Sequence, residues 1–150
     1  MARIINGSLD VDTVLRHVVA AARALCHSDG AIIALREPGS ATVVCRYSIG
    51  YAEEVVQRVE FGKGAGGLVL ATGRPFRTPD YVADPRISDD YVEAVRRRGI
   101  VAELVVPIEI GGRTEGLIYV DNFSARPFTD RDEAVLTRLA THAAIAIRNS

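Results

Sequence analysis

The chain has 150 residues, 48% of them hydrophobic and 25% charged, which is the size and makeup of one globular domain able to bury its own core. A formal net charge of -1 and a pI near 6.3 give no bulk attraction for nucleic acid or for anionic membranes. No signal-peptide-like run opens the sequence and no stretch of about 18 apolar residues occurs, so a cytoplasmic chain without membrane contact is expected, alone or as a piece of something larger.

The first predicted element is an amphipathic helix over 8–26, with Leu15, Val18, Val19, Ala22 and Leu25 at helical spacing and Ser8 placed to cap it. Two β-prone runs, 31–37 and 42–48, flank "PGSA" and read as a hairpin. Residues 51–61 are ambiguous between a loop and a short helix leading into a short strand. The glycine-rich stretch that follows leads into a short helix over 65–73 closed by Gly73, after which "PFRTPD" returns to extended chain. From Ser88, acids in the first turn, arginines in the last and Gly99 beyond mark another helix, with Arg96, Arg97 and Arg98 as its solvated end.

A second hairpin is predicted from 101–110, the turn Gly111-Gly112 and 113–122. Its apolar residues occupy both alternations, Leu104, Val106 and Ile108 against Val101 and Val105, so the sheet should be covered on both sides. Thr129 and Asp132 stand at capping-box spacing before a final helix over 130–148, whose stripe contains Val135, Leu136, Leu139, Ala143, Ala144 and Ile147. Helix, hairpin, irregular middle, helix, hairpin, helix is the order of an α+β domain on an antiparallel sheet.

Residues 62–67, "GKGAGG", spell G-x-G-x-x-G, but a dinucleotide loop must follow a buried parallel strand and open a helix within a βαβ unit. The preceding "QRVEF" alternates with polar residues, and Pro75, Pro79 and Pro85 break the second strand such a unit needs. A role in turning the chain and packing the short helix accounts for these glycines better. Lys63 is the only lysine and no G-K-[ST] occurs, which removes a P-loop. His17, His27 and His142 show no metal-ligand spacing, and no G-x-S-x-G elbow is present. Cys26 and Cys45 stand far apart without a CxxC, and read as small buried residues in a reducing compartment. Neither a metal nor an enzyme activity is indicated.

The segments "GKGAGGLVLATGRPFRTPD", "DYVADPRI", "LVVPIEIGGRTEGLIYVDN" and "FTDRDEAVLTRLATHAAIAIRN", in this order, resemble a GAF domain, the small-molecule sensing module of many signalling proteins. The resemblance runs from about residue 9 to residue 148. It implies one domain over 1–150, with an antiparallel sheet of about six strands, the terminal helices on one face and a ligand pocket with short helices and loops on the other. Members that bind cyclic nucleotides share an NKFDE pattern; Asn122, Phe128, Asp132 and Glu133 match it, but Phe123 stands where the lysine belongs. Residues 62–122 contain no His or Cys, which speaks against the haem, bilin and iron cofactors of other members. The implied function is a cofactor-free regulatory module for an unknown small polar ligand, in a sensor kinase or transcription regulator. A ligand-free dimerisation module and a cyclic-nucleotide module are the alternatives.

The terminal helices are expected to pack side by side and to offer a homodimer surface, since the last helix carries small residues at Ala140, Ala143, Ala144 and Ala146. A ligand is expected between the sheet and segment 77–100, where Arg77, Asp80, Tyr81, Asp84, Arg86 and Tyr91 supply directed donors and acceptors. Glu103 and Tyr119, polar interruptions in apolar strands, are the residues expected to face them from the sheet.

Overall fold

The computed structural model describes residues 7–150, with side chains from Asp10 onward; the cap expected at Ser8 lies outside the described side chains. Helix α1 (Gly7–Leu25) leads to β1 (Gly30–Arg36), β2 (Val43–Ile49) and β3 (Arg58–Val59), then α2 (Gly64–Thr72) and β4 (Phe76–Thr78). A 3₁₀ turn (Asp89–Tyr91) opens α3 (Val92–Arg98), and β5 (Ala102–Ile110), β6 (Arg113–Asn122) and α4 (Asp130–Arg148) complete the chain. The six strands form one sheet in the order β3-β2-β1-β6-β5-β4, with every neighbouring pair antiparallel.

Two cores lie on the two faces, as the double alternation of β5 and β6 requires. On one face Leu15, Val18, Val19 and Ala22 of α1 and Leu136, Ala140 and Ala143 of α4 pack on Leu104, Val106, Ile108, Ile118 and Val120. Each fully buried leucine there contributes roughly 1.5–3 kcal/mol. Leu25, expected in the α1 stripe, is instead 45% exposed, because the helix ends there and the chain turns away through His27 at φ 51. On the other face Ile32, Ala34, Val105, Leu117 and Tyr119 meet α2, α3 and the loops around them.

A bulge decides which side of β2 serves which core. Ile33 pairs with Tyr47 and Ala34 with Cys45, which leaves Arg46 without an opposite residue. The extra residue inverts the alternation. Val43 and Cys45 therefore enter the second core, while Tyr47 and Ile49 pack with the terminal helices.

The helix ends follow the local chemistry. Thr129 Oγ1 accepts from the Asp132 N–H at 3.2 Å and Asp132 Oδ2 accepts from the Thr129 N–H at 2.8 Å, so Asp completes the capping box in place of Glu. Gly73 and Gly99 close α2 and α3 with left-handed backbone. Ser88 makes no cap bond to its own helix; its Oγ donates to Asp90 and accepts from the Gly64 N–H at 2.8 Å, which occupies one of the free donors at the start of α2. No helix among the described residues is long and apolar enough to cross a membrane.

Candidate ligand-binding site

Under α2 and α3 the second core contains a small cavity with polar walls. Glu103 of β5 and Tyr119 of β6 give its floor, and the register sets Glu103 opposite Asp121 and Val105 opposite Tyr119. All four point to the same face, because side chains two apart on a strand share a side. Tyr81 and Tyr91 close the cavity from the loop after β4 and from the 3₁₀ turn, Arg98 from the end of α3, and Cys45 and Gln57 from the β2–β3 side. The enclosed space is about 40 Å³, room for only a few waters.

Glu103 and Asp121 are the chemical centre. They are 4% and 0% exposed, and no described residue donates a hydrogen bond to the Glu103 side chain. Asp121 Oδ2 accepts from the Tyr51 hydroxyl at 2.5 Å, while Oδ1 has no partner but the Glu103 carboxyl. Burial, then the neighbouring Asp121 charge and the hydrogen bond between the two side chains, push the Glu103 carboxyl well above its ordinary range. Burial also raises Asp121, against the lowering effect of hydrogen bonds from Glu103 and Tyr51. One proton shared by the pair gives both free oxygens a partner and leaves a single buried negative charge.

This pair sets a pH dependence. A carboxyl raised in the folded state contributes stability below its unfolded value, here 4.5 for Glu103 and 3.8 for Asp121, and that contribution is lost as pH rises toward the folded value. Stability should therefore decline as pH rises above the ordinary carboxylate range. Glu103→Gln keeps a donor for Asp121 without a second charge, so it should flatten the decline and gain about 1–3 kcal/mol over the parent at the alkaline end. Urea midpoints across that rise measure it; two parallel profiles would contradict it.

Cys45, Tyr81 and Tyr119 are neutral walls at physiological pH. Burial pushes the Cys45 thiol up to about 12 and raises the Tyr81 and Tyr119 hydroxyls well out of the neutral range. The Tyr81 hydroxyl accepts from the Ala65 N–H and the Tyr91 hydroxyl from the Glu60 N–H, which ties both rings to the start of α2. Arg98 is half-buried, and its guanidinium forms no ion pair or hydrogen bond among the described residues.

Of the residues expected to form the site, Tyr81, Tyr91, Glu103 and Tyr119 converge on this cavity. Arg77, Asp80, Asp84 and Arg86 do not line it. Arg77 pairs with Leu104 in the β4–β5 ladder and so turns to the opposite face, where it meets Asp130 at 2.6 Å and Glu133 at 3.5 Å. Asp84 and Arg86 bind one another at 2.6 Å, and the guanidinium stacks 4.6 Å from the Phe76 ring centre, an arrangement that stiffens the loop and holds the Asp84 carboxyl well below its usual range. Asp80 is exposed and accepts from the Ala83 N–H within the same loop. Sequence reasoning missed Asp121, Tyr51, Arg98 and Cys45. The alternation from Tyr119 to Asp121 was the one available signal for the first of them.

A wider groove of about 390 Å³ lies between α4 and the β5–β6 turn, edged by Gly73, Pro75, Ile110, Thr141 and Ile145. It contains no buried polar atom lacking a partner, whereas the smaller cavity does. The smaller one therefore has the stronger chemical claim. Among the described residues no group of three or more His, Cys, Asp or Glu is placed to hold a metal ion.

The GAF domain family model matches residues 10–147. The chain belongs to the GAF family. Within 94 aligned residues it is 30% identical to the HTH-type transcriptional activator RamA of Corynebacterium glutamicum, a match covering 61% of this chain and only 34% of that relative. The fold is shared with the GAF domain of a phosphoenolpyruvate-protein phosphotransferase from Coxiella burnetii, at TM-score 0.79 and 22% identity over 93% of this chain and 83% of that one. It is shared also with the type II free methionine-R-sulfoxide reductase of Thermoplasma acidophilum, at TM-score 0.76 and 16% identity over 96% of both chains. The GAF residues that resemble the cyclic-nucleotide pattern here serve the backbone: Asn122 donates to the Arg126 carbonyl at 2.6 Å, Phe128 fills the helix-side core, and Asp132 caps α4.

Proposed function

We propose that this GAF domain is a sensory module of a cytoplasmic regulatory protein, in which a small polar ligand enters the cavity over Glu103 and Tyr119 and the terminal helices relay its presence. The observation that supports this is the buried Glu103 carboxyl on the cavity wall, whose one partner is the neighbouring Asp121. A carboxyl can make more hydrogen bonds than the one to Asp121, and one that faces a cavity suits a partner from solution. Strands β5 and β6 provide the relay, because residues facing the ligand alternate with Leu104, Val106, Ile118 and Val120, on which α1 and α4 rest. The resemblance to a transcriptional activator over part of its length agrees with a regulatory parent.

The small size of the cavity, about 40 Å³, favours a second reading, a dimerisation module whose pocket is filled by its own side chains. In both readings the exposed edge of α4, including the 49% exposed Ile145, serves as a homodimer surface. A catalytic role like that of the sulfoxide reductase receives little support. Cys26 and Cys45 are free thiols on opposite faces of the sheet, and burial holds them protonated, at about 11 and about 12. Thermal unfolding against a library of small metabolites separates the two main readings. A saturable rise in melting temperature supports the sensor. An empty screen with a dimer by sedimentation supports the second reading.

A further inference from the structure

Resting on the reading of the cavity as a ligand site, we infer that its occupant is a small organic acid whose carboxylate is held by Arg98 and whose short apolar body lies against the aliphatic wall. Arg98 lines the cavity from the end of α3, and its guanidinium forms no ion pair or hydrogen bond among the described residues. Arg96 and Arg97 are exposed, so Arg98 is the member of the run that turns to the cavity. A guanidinium is a planar fork of N–H donors that matches a carboxylate two bonds at a time, and it stays charged throughout the physiological range.

The hydroxyls around Arg98 are placed to donate as well. The Tyr81 hydroxyl already accepts from the Ala65 N–H and the Tyr91 hydroxyl from the Glu60 N–H, so each still has its own proton to offer. Tyr119 adds a third hydroxyl from the floor. Glu103, the one acid on the wall, shares its proton with Asp121, which does not line the cavity. The wall therefore presents chiefly donors around one fixed positive charge, which suits an anion rich in acceptors. Ile32, Val59 and Ile100 line the same space, and a bare inorganic ion would leave that aliphatic side without a partner. Room for only a few waters limits the acid to a few carbons.

The test titrates sodium propionate into the isotopically labelled protein at constant ionic strength, with propionamide, propylammonium chloride and sodium nitrate as neutral, cationic and inorganic controls. The Arg98 Nε–H resonance and the amides of 102–105 and 117–120 should shift saturably with propionate, and about tenfold more weakly or not at all with the controls. Arg98→Gln should weaken propionate binding about tenfold or more, while Arg97→Gln, which removes the same charge from the exposed neighbour, should leave it unchanged. The contrast among probes needs no variant, so it decides the matter even if Arg98→Gln fails to fold. Cavity binding of propionamide or propylammonium as tight as that of propionate would overturn the acid assignment while leaving the cavity as a ligand site. Nitrate binding as tight would overturn the organic acid in favour of an inorganic oxyanion. Propionate shifts confined to the surface around 96–97, and lost in Arg97→Gln, would reduce the effect to charge attraction and overturn it as well. No shift with any probe would overturn the acid, and together with an empty metabolite screen it would overturn the ligand site too.

Discussion

Leu136→Ala is expected to lower the free energy of unfolding by about 2–5 kcal/mol. Leu136 is fully buried where α4 crosses the sheet, in the core that contains Leu15, Leu104, Val106 and Ile118. Truncation removes the transfer energy of its side chain and leaves a void that two helices and a six-stranded sheet are poorly placed to collapse. The cost should appear as a lower denaturant midpoint with an unchanged slope, since the surface exposed on unfolding stays nearly the same. The chain has no tryptophan, so far-UV circular dichroism or tyrosine emission provides the signal. A loss below about 1 kcal/mol would show that α4 does not seal this core.

Gly67→Ala should be nearly as damaging for a different reason. A β-carbon there would collide with the Glu60 carbonyl oxygen and lie 3.0 Å from the Gly62 backbone, which cannot swing aside as a side chain can. The close approach is fixed from both directions, by Gly62 N–H to the Gly67 carbonyl at 2.8 Å and Gly67 N–H to the Lys63 carbonyl at 3.0 Å. Overpacking of this sort costs about 1–3 kcal/mol or more. It should also displace α2, and with it Gly66, whose missing side chain leaves the space occupied by the Tyr119 hydroxyl. Gly67→Ala should therefore change the Tyr119 environment, seen by tyrosine NMR, while Leu136→Ala leaves it intact. Parent-like stability in Gly67→Ala would remove the close contact on which the cavity roof depends.

Those glycines show what the sequence could and could not reveal. Rejecting a phosphate loop at 62–67 needed only the flanking residues, and the role left over, turning and packing, is the one the structure displays at Gly67. Helix ends at Gly73, Gly99 and Thr129 were legible because capping chemistry is local. The antiparallel sheet of about six strands and its two-faced core followed from alternation and from the family resemblance, while the strand order came only from the structure. The bulge at Arg46 was not legible, because a bulge is a property of two paired strands.

The same limit explains the mixed outcome at the site. Glu103 and Tyr119 stood out as polar residues within apolar strands, and both reach the cavity. Asp121 sits at the strand end beside a turn, where acids are common, and only the register reveals Glu103 as its partner. Arg77 lies on a three-residue strand whose facing is set by its pairing with Leu104. Arg98 was hidden inside a run of three arginines, of which Arg96 and Arg97 are indeed exposed.

The most direct test of the cavity and its chemistry is the side-chain carboxyl carbon of Glu103 followed by NMR as pH is raised. The predicted result is a Glu103 carboxyl that keeps its proton well above the usual carboxylate range, because burial and the neighbouring Asp121 disfavour its charge. A Glu103 carboxyl that ionises in the ordinary carboxylate range would contradict it.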